Sequence, residues 1–183
     1  MKNVALLGNP NVGKTTLFNS LTGSNQRVGN WAGVTVDKKE GFFDDFKIVD
    51  LPGIYAMDTF SNEEKVSKEF LENGKVDLIL NIIDASNIDR NLYLTMQLKQ
   101  FKKPIILAIN MIDVAEKKGI DIDYKKLEKL LNVTVIPIQA SKEEGISDIK
   151  NTLKNINSNK IDNNDYIFSC EKETYTYIEN ILS

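Results

Sequence analysis

Short apolar runs alternate with amphipathic segments along most of this chain. Strand-like runs recur at 3–8, 36–43, 46–51, 77–83, 104–110 and 133–138, and segments with helical spacing lie at 14–22, 62–73, 89–101, 123–131 and 145–156. Continuous apolar strands that alternate with helices are typical of a parallel sheet covered on both faces. The runs at 36–43 and 46–51 are joined too tightly for a crossover helix, which predicts an antiparallel hairpin at one edge. We therefore predict an α/β fold with a mostly parallel, six-stranded sheet.

The alternation ends near residue 156, so we expect one folded domain over residues 1–156. Residues 157–169 are polar and rich in turn formers, which predicts a linker. Residues 170–183 carry apolar side chains at helical spacing and predict a short C-terminal helix. That helix either packs back on the domain or leads towards a helical or membrane part that this chain lacks.

Composition excludes several classes of protein. The 183 residues are 42% hydrophobic and 27% charged, as in ordinary globular proteins, and the net charge of −3 gives no reason to expect nucleic-acid binding. Cys170 is the single cysteine and histidine is absent, so neither a disulfide framework nor a Cys/His metal site is expected. The chain enters its first strand directly after Met1 without a signal-like segment, and its apolar runs are too short to span a bilayer. We expect a reducing, cytosolic environment.

The segment Gly8–Thr15 fits the phosphate-binding pattern G-x-x-x-x-G-K-[ST] and lies between an apolar strand and a helix-like run. Glycines let successive backbone N–H groups point at an anion, and the helix N-terminus adds partial positive charge. Lys14 is expected to reach the β- and γ-phosphates, while the Thr15 hydroxyl is expected to bind magnesium. The residues predicted to contact the nucleotide here are Asn9, Pro10, Asn11, Val12, Gly13, Lys14, Thr15 and Thr16.

Asn110-Met111-Ile112-Asp113 follows an apolar strand and predicts the reading of a guanine base. The Asp113 carboxylate can accept hydrogen bonds from the guanine N1–H and 2-amino groups, which adenine does not offer. Asn110 is expected to bridge this loop to the phosphate loop, with Met111 between the two. Alone, the pattern is weak, and a strand-end Asn with an N-cap Asp for the next helix would explain it better; its place about 100 residues after a phosphate loop favours guanine.

Two further elements lie between these segments. Asp50 ends a strand and can hold magnesium through a water, and the Gly53 N–H can sense the γ-phosphate. Thr35 lies in a glycine-containing loop and can close on magnesium and the γ-phosphate, then release after hydrolysis. A plain turn and an ordinary strand Thr are the alternatives. In this order the four elements predict a GTPase with Thr15, Thr35 and Asp50 as magnesium ligands.

Two segments resemble the ferrous iron transport protein B (FeoB) family. Residues 29–41 read G-N-W-A-G-V-T-V-D-K-K-E-G, close to the family's N-W-P-G-V-T-V-E-K-K-E-G, and residues 84–95 resemble its V-D-A-x-x-L-E-R-N-L-Y-L-T segment. The resemblance covers about residues 1–156. It implies a P-loop GTPase domain on the cytoplasmic face of a prokaryotic iron transporter, with the membrane-embedded remainder as its partner. Self-association is left open.

The chain departs from the family pattern at three points. Ala32 stands where the family usually has Pro, which loosens the loop without removing a ligand. Gln139 precedes Ala140 and Ser141 where the family usually has Ser-Ala; the Ala140 N–H can still meet the guanine carbonyl. The helical domain that normally follows is truncated, reduced or missing.

No side chain is an evident water-positioning group. Ile54 occupies the place where GTPases commonly have Gln, and Glu63 or Glu64 is a substitute whose alternative is a solvated helix start. Arg27 and Arg90 are the two arginines of the chain, and Arg27 lies in the predicted switch loop.

Asn11 resembles the phosphate-loop Asn of potassium-dependent GTPases. Its side-chain oxygen, with the carbonyls of Gly29 and Trp31, is expected to bind potassium in place of an arginine finger. A turn-stabilising Asn is the alternative. The predicted catalytic residues are Asn11, Lys14, Thr35 and Gly53, with GTP or GDP, Mg²⁺ and K⁺ as cofactors and slow, potassium-stimulated turnover as the activity.

Two other functions stay open. A GTPase acting on the ribosome or tRNA has similar loops, but it usually carries an RNA-binding appendage, and none is visible here. A non-catalytic module that binds GDP or GTP is the other. A P-loop kinase is disfavoured because D-x-x-G and N-x-x-D have no role there. No residue is a convincing iron ligand.

Overall fold

The computed structural model describes residues 1–58, 60–156 and 171–183, without the side chains of Glu171 and Thr174. Its strands are β1 (Lys2–Gly8), β2 (Gln26–Asn30), β3 (Asp37–Phe43), β4 (Phe46–Asp50), β5 (Leu78–Asp84), β6 (Ile105–Asn110) and β7 (Thr134–Pro137). Its helices are α1 (Lys14–Thr22), α2 (Asn62–Asn73), α3 (Ile88–Leu98), α4 (Ile112–Lys117), α5 (Tyr124–Leu131), α6 (Ile146–Asn155) and α7 (Glu171–Leu182). The short α4 was not predicted.

All the strands belong to one sheet in the order β2-β3-β4-β1-β5-β6-β7. The pairs β4-β1, β1-β5, β5-β6 and β6-β7 are parallel, whereas β2-β3 and β3-β4 are antiparallel. This confirms the α/β class, the parallel sheet and the predicted hairpin. The parallel arrangement also brings the carboxyl ends of β1, β4, β5 and β6 to the same end of the sheet, where ligands bind in open α/β folds.

The strand count and the position of the hairpin differ from the prediction. The described sheet has seven strands, and β2, not the hairpin, forms its edge. Strand β2 escaped the sequence pattern because Gln26-Arg27-Val28-Gly29-Asn30 has no apolar face and lies largely exposed. Its pairing with β3, from Gln26 opposite Gly41 to Asn30 opposite Asp37, holds it in place.

Two apolar clusters cover the two faces of the sheet. Alternate side chains of β1 point to opposite faces: Val4 and Leu6 pack with α1 and α6, while Ala5 and Leu7 pack with α3 and α5. Helices therefore lie on both faces, as predicted, and fix the loop that follows β1 between two packed layers.

Helix α7 packs on the domain rather than extending away from it. Ile178 is fully buried and Ile181 nearly so, both in the cluster that contains α3. Tyr175 stacks on Tyr93 of α3 with ring centroids 5.1 Å apart and ring planes 14° apart. The predicted linker 157–169 and Cys170 lie outside the described residues. Across the described ranges, no helix combines the length and apolar character that a bilayer span requires.

Candidate functional site

The loop between β1 and α1 forms an anion cradle. Asn11 has φ of 63° and Gly13 has φ of 93°, and this left-handed backbone turns the chain into α1, whose first residue is Lys14. The first turn of α1 carries no acidic side chain, so the positive end of the helix dipole is not offset locally. Thr15 and Thr16 lie exposed in that turn. The arrangement suits a phosphate group.

Gly13 is required by its surroundings as well as by its backbone angle. A Cβ atom built on Gly13 would lie 2.3 Å from Asn110 Nδ2, closer than van der Waals contact permits. Gly53 is less tightly confined, since a Cβ there would lie 3.2 Å from the Pro10 Cα, a close contact. The D-x-x-G loop is therefore seated against the phosphate loop, and the Ile54 N–H donates to the Gly8 carbonyl at 3.2 Å.

Lys14 and Asp50 form an ion pair between Nζ and Oδ1. Asp50 reaches this place because β4 pairs with β1 in parallel, with Asp50 opposite Leu6. Only 13% of the Lys14 side chain and 9% of the Asp50 side chain are exposed. The structure thus brings together the predicted phosphate-binding cation and one predicted magnesium ligand.

Asn110 joins the phosphate loop to the loop after β7. Its Nδ2 donates to the Val12 carbonyl at 2.9 Å, and its Oδ1 accepts from the Ala140 N–H at 3.0 Å. The bridge from Asn110 to the phosphate loop agrees with the expectation. For Ala140 the geometry differs from the expectation: its N–H is donated to Asn110, so it meets a guanine carbonyl only if the two oxygens share it. Ser141 is exposed beside it.

Asp113 is half-buried at the second position of α4. The N-cap position is held by Met111, whose φ is 61° and whose side chain makes no capping hydrogen bond. Asp113 is therefore not the N-cap of α4, which removes the simpler explanation offered for an Asp at this place.

Within the described residues, the Thr35 side chain makes no hydrogen bond to the other predicted magnesium ligands, Thr15 and Asp50. It is exposed in the turn between β2 and β3, which is closed by the Trp31 N–H donating to the Val36 carbonyl at 2.9 Å. Gly29 is paired with Lys38 in the β2-β3 ladder. Asn11 is exposed on the phosphate loop, and the Trp31 carbonyl accepts from the Val34 N–H at 3.4 Å within its own turn.

The structure shows what the candidate water-positioning residues and the candidate arginine finger Arg27 contact. The Glu64 carboxylate accepts from the Phe60 N–H at 3.0 Å and its own N–H donates to Ser61 Oγ, a capping box at the start of α2. Ile54 is buried in the core. The Arg27 guanidinium of β2 lies 5.3 Å from the centre of the Phe42 ring of β3.

A cleft of about 490 Å³ borders the phosphate loop between the D-x-x-G loop and α3. Arg90 lines it together with Pro10, Asn11 and Tyr55, and α7 contributes Tyr175. Of the two arginines, Arg90 is thus the one beside the phosphate loop. Sequence reasoning did not place it there, because helix packing rather than any motif brings α3 to this side.

Sequence reasoning also missed Asn81. It is fully buried in β5, donates from Nδ2 to the Leu7 carbonyl at 3.2 Å and accepts from Thr95 Oγ1 at 2.6 Å. This network fixes the end of β1 just before the phosphate loop. The available signal was an Asn in the middle of an otherwise apolar strand, since a buried amide needs partners.

Comparisons with known proteins place this geometry among similar folds. The sequence model of the family "Ferrous iron transport protein B" matches residues 2–153. The Fe(2+) transporter FeoB of Legionella pneumophila (strain Paris) is 48% identical over 161 residues, which cover 84% of this chain and 21% of that protein. The chain therefore spans about a fifth of the length of the curated relatives it matches.

Two solved structures extend the comparison. A variant of S. thermophilus NFeoB bound to GDP matches with a TM-score of 0.79 and 48% identity, over 82% of this chain and 61% of that one. The cytosolic domain of the T. maritima FeoB iron transporter in a GMPPNP form matches with a TM-score of 0.80 and 41% identity, over 84% of this chain and 63% of that one.

Proposed function

The chain belongs to the FeoB family of ferrous iron transport proteins, of which it carries the N-terminal GTPase-type G domain, and from this premise we propose that it is a GTP-hydrolysing switch. Its two nucleotide states regulate an iron transporter whose membrane-embedded remainder is the partner of this domain. Residues 1–156 form the switch, on the cytoplasmic face of the cell membrane. Helix α7 packs on this domain through Ile178 and Ile181.

The observation that carries this proposal is the double hydrogen bond of Asn110. One buried amide joins the phosphate loop at Val12 to the loop at Ala140. A nucleotide bound across these loops has its phosphates over the amides that follow Gly8 and its base beside Asp113. The purine and the phosphates are then read by parts of the chain that cannot move independently.

Each residue at the phosphate end has a distinct task. Lys14 neutralises charge on the β- and γ-phosphates, and the Gly53 N–H faces the γ-phosphate from the loop packed on Pro10. The Thr15 hydroxyl and the Asp50 carboxylate are oxygen donors of the kind that magnesium prefers, and Thr35 completes that set when its loop closes. When bound, Mg²⁺ supplies charge neutralisation for the phosphates.

The potassium proposal rests on Asn11. The Arg27 guanidinium lies over the Phe42 ring, whereas Arg90 lines the cleft beside the phosphate loop, so Arg90 is the arginine that competes with a cation for the role of the finger. The Asn11 side chain is exposed on the loop, where its oxygen can face a monovalent cation at the phosphates. The carbonyls of Gly29 and Trp31 join it when the switch loop closes. A fixed cation there stabilises developing negative charge.

Replacing Asn11 with Ala is expected to remove the stimulation by potassium while leaving GDP binding nearly intact. The side-chain oxygen is lost, whereas the backbone amides of the loop stay. The measurement is steady-state GTP turnover by wild type and variant in potassium chloride and in sodium chloride at equal ionic strength. Potassium stimulation that survives in the Asn11→Ala variant would return Asn11 to a turn-stabilising role.

A module that binds guanine nucleotides without hydrolysing them is a second candidate. The burial of Ile54 and the use of Glu64 in a capping box favour it, because neither can orient an attacking water. Turnover distinguishes the two, since a binding module retains GDP affinity but hydrolyses GTP no faster than a variant without Lys14.

A further inference from the structure

Trp31 connects the two loops that are expected to change with the nucleotide. Its ring meets Phe70 of α2 edge-on, with centroids 5.5 Å apart and planes 69° apart. The Lys38 ammonium lies 4.8 Å from the centre of the Trp31 ring. Both aromatic rings are partly buried against the core cluster that also contains α3. The turn between β2 and β3 is thereby attached to α2.

The attachment carries two uncompensated polar groups. The indole N–H of Trp31 is buried and has no hydrogen-bond partner among the residues that the structure describes. The same holds for the hydroxyl of Ser67, which lies one turn before Phe70 on α2. A buried donor without an acceptor lowers the stability of the arrangement that buries it. The contact is thus weaker than its aromatic packing suggests, which suits a contact that opens.

The two ends of this contact lead directly to the nucleotide site. Trp31 begins the turn that carries Thr35, and the Trp31 N–H, which donates to the Val36 carbonyl, ties the two ends of residues 31–36 together. Helix α2 follows the D-x-x-G loop, whose Gly53 is seated against Pro10. A displacement of Thr35 towards the proposed magnesium ligands Thr15 and Asp50 therefore acts on Trp31 through this closed turn, and on α2 through the Trp31–Phe70 contact.

We infer that Trp31 is a positioning residue: docked on Phe70, it holds Thr35 away from the phosphate site, and it leaves Phe70 when a nucleoside triphosphate with magnesium draws Thr35 in. This inference rests on the proposed GTPase switch and adds to it the element that couples its two loops. Part of the binding free energy that Thr35 contributes to a triphosphate is offset by the loss of the Trp31–Phe70 contact. This contact therefore favours the diphosphate state.

The single tryptophan of the chain makes the inference directly measurable. Fluorescence excited selectively in Trp31, and its quenching by acrylamide, are recorded without nucleotide, with GDP and with GMPPNP plus Mg²⁺. We expect shielded, short-wavelength emission without nucleotide and with GDP. We expect a red shift and stronger quenching with GMPPNP. Calorimetry on the same samples establishes that each nucleotide is bound.

Variants at α2 and Thr35 separate coupling from folding. Phe70→Ala is expected to expose Trp31 in all three states and to raise the affinity for GMPPNP relative to GDP about fivefold. Phe70→Leu, which keeps an apolar side chain, should lie between it and wild type. Glu69→Ala, on the exposed side of the same helix, is the matched control and should behave as wild type. Thr35→Ala should bind GMPPNP yet keep Trp31 shielded.

These experiments test the role of Trp31 separately from the proposed GTPase function. Emission that is identical in all three states of a protein that hydrolyses GTP would overturn the positioning role and leave the GTPase proposal standing. A wild-type protein that neither binds GMPPNP nor hydrolyses GTP overturns both. A Phe70→Ala variant with unchanged nucleotide preference also contradicts the role of Trp31, even if its emission shifts.

Discussion

Replacing Asp113 with Asn is expected to lower the affinity for GDP by about 10⁴-fold, because the hydrogen-bonding edge of the purine no longer matches the site. The Asp113 carboxylate accepts from both donors of the guanine edge. An amide in its place points an N–H at one of those donors and leaves a buried polar group unpaired. Xanthine carries a carbonyl where guanine carries its amino group, so the variant should gain affinity for xanthosine diphosphate as it loses GDP.

Competition titrations with GDP, xanthosine diphosphate and ADP measure this change in base preference. Glu116→Gln is the matched control, since Glu116 is an exposed carboxylate on the same helix α4 and should not read the base. If the Asp113→Asn variant binds GDP as tightly as the wild type, Asp113 does not read the base. A loss of GDP binding without any gain for xanthosine diphosphate would indicate damage to the loop rather than a change in recognition.

Replacing Lys14 with Met is expected to reduce GTP turnover by roughly 10²–10³-fold, the loss typical of removing one preorganised group from developing charge. Lys14 is largely buried at the start of α1 and pairs with Asp50, and it is the single cationic residue of the segment Gly8–Thr15. Single-turnover hydrolysis at saturating GTP measures the chemical step. It separates this loss from weaker binding, which we also expect.

A second variant tests whether misfolding causes the loss of turnover in Lys14→Met. In Lys14→Met the Asp50 carboxylate is left buried without its cation, which destabilises the fold. The double variant Lys14→Met/Asp50→Asn removes that charge and should recover thermal stability without recovering turnover. Turnover close to wild type in either variant would contradict the role of Lys14.

Local sequence patterns were sufficient to predict the buried strands and the phosphate loop. The apolar runs predicted β1, β5 and β6 because strands buried on both faces must be continuously apolar. Gly8–Thr15 predicted the phosphate loop, and its left-handed Asn11 and Gly13 agree with that reading. The resemblance to FeoB is confirmed by the family match over residues 2–153.

Other features depend on contacts that no local pattern records. Strand β2 exists through its pairing with β3, since its own residues are mostly exposed and polar. Arg90 lines the same cleft as the phosphate loop because of where α3 packs on the sheet. Trp31 meets Phe70 across two elements that are distant in sequence. The role of Ala140 was predicted without the competing acceptor, Asn110, whose position follows from the packing of β6 and β7.

The most direct test of the account is GTP hydrolysis by the wild-type chain with Mg²⁺, measured in potassium chloride and in sodium chloride at equal ionic strength, with Lys14→Met as the blank. The account predicts turnover well above the blank, stimulated by potassium, and no comparable turnover of ATP. Equal turnover in the two salts would refute the potassium site and direct attention to Arg90 or a group from a partner. Turnover no higher than that of the Lys14→Met blank in both salts would contradict the central claim that this domain hydrolyses GTP.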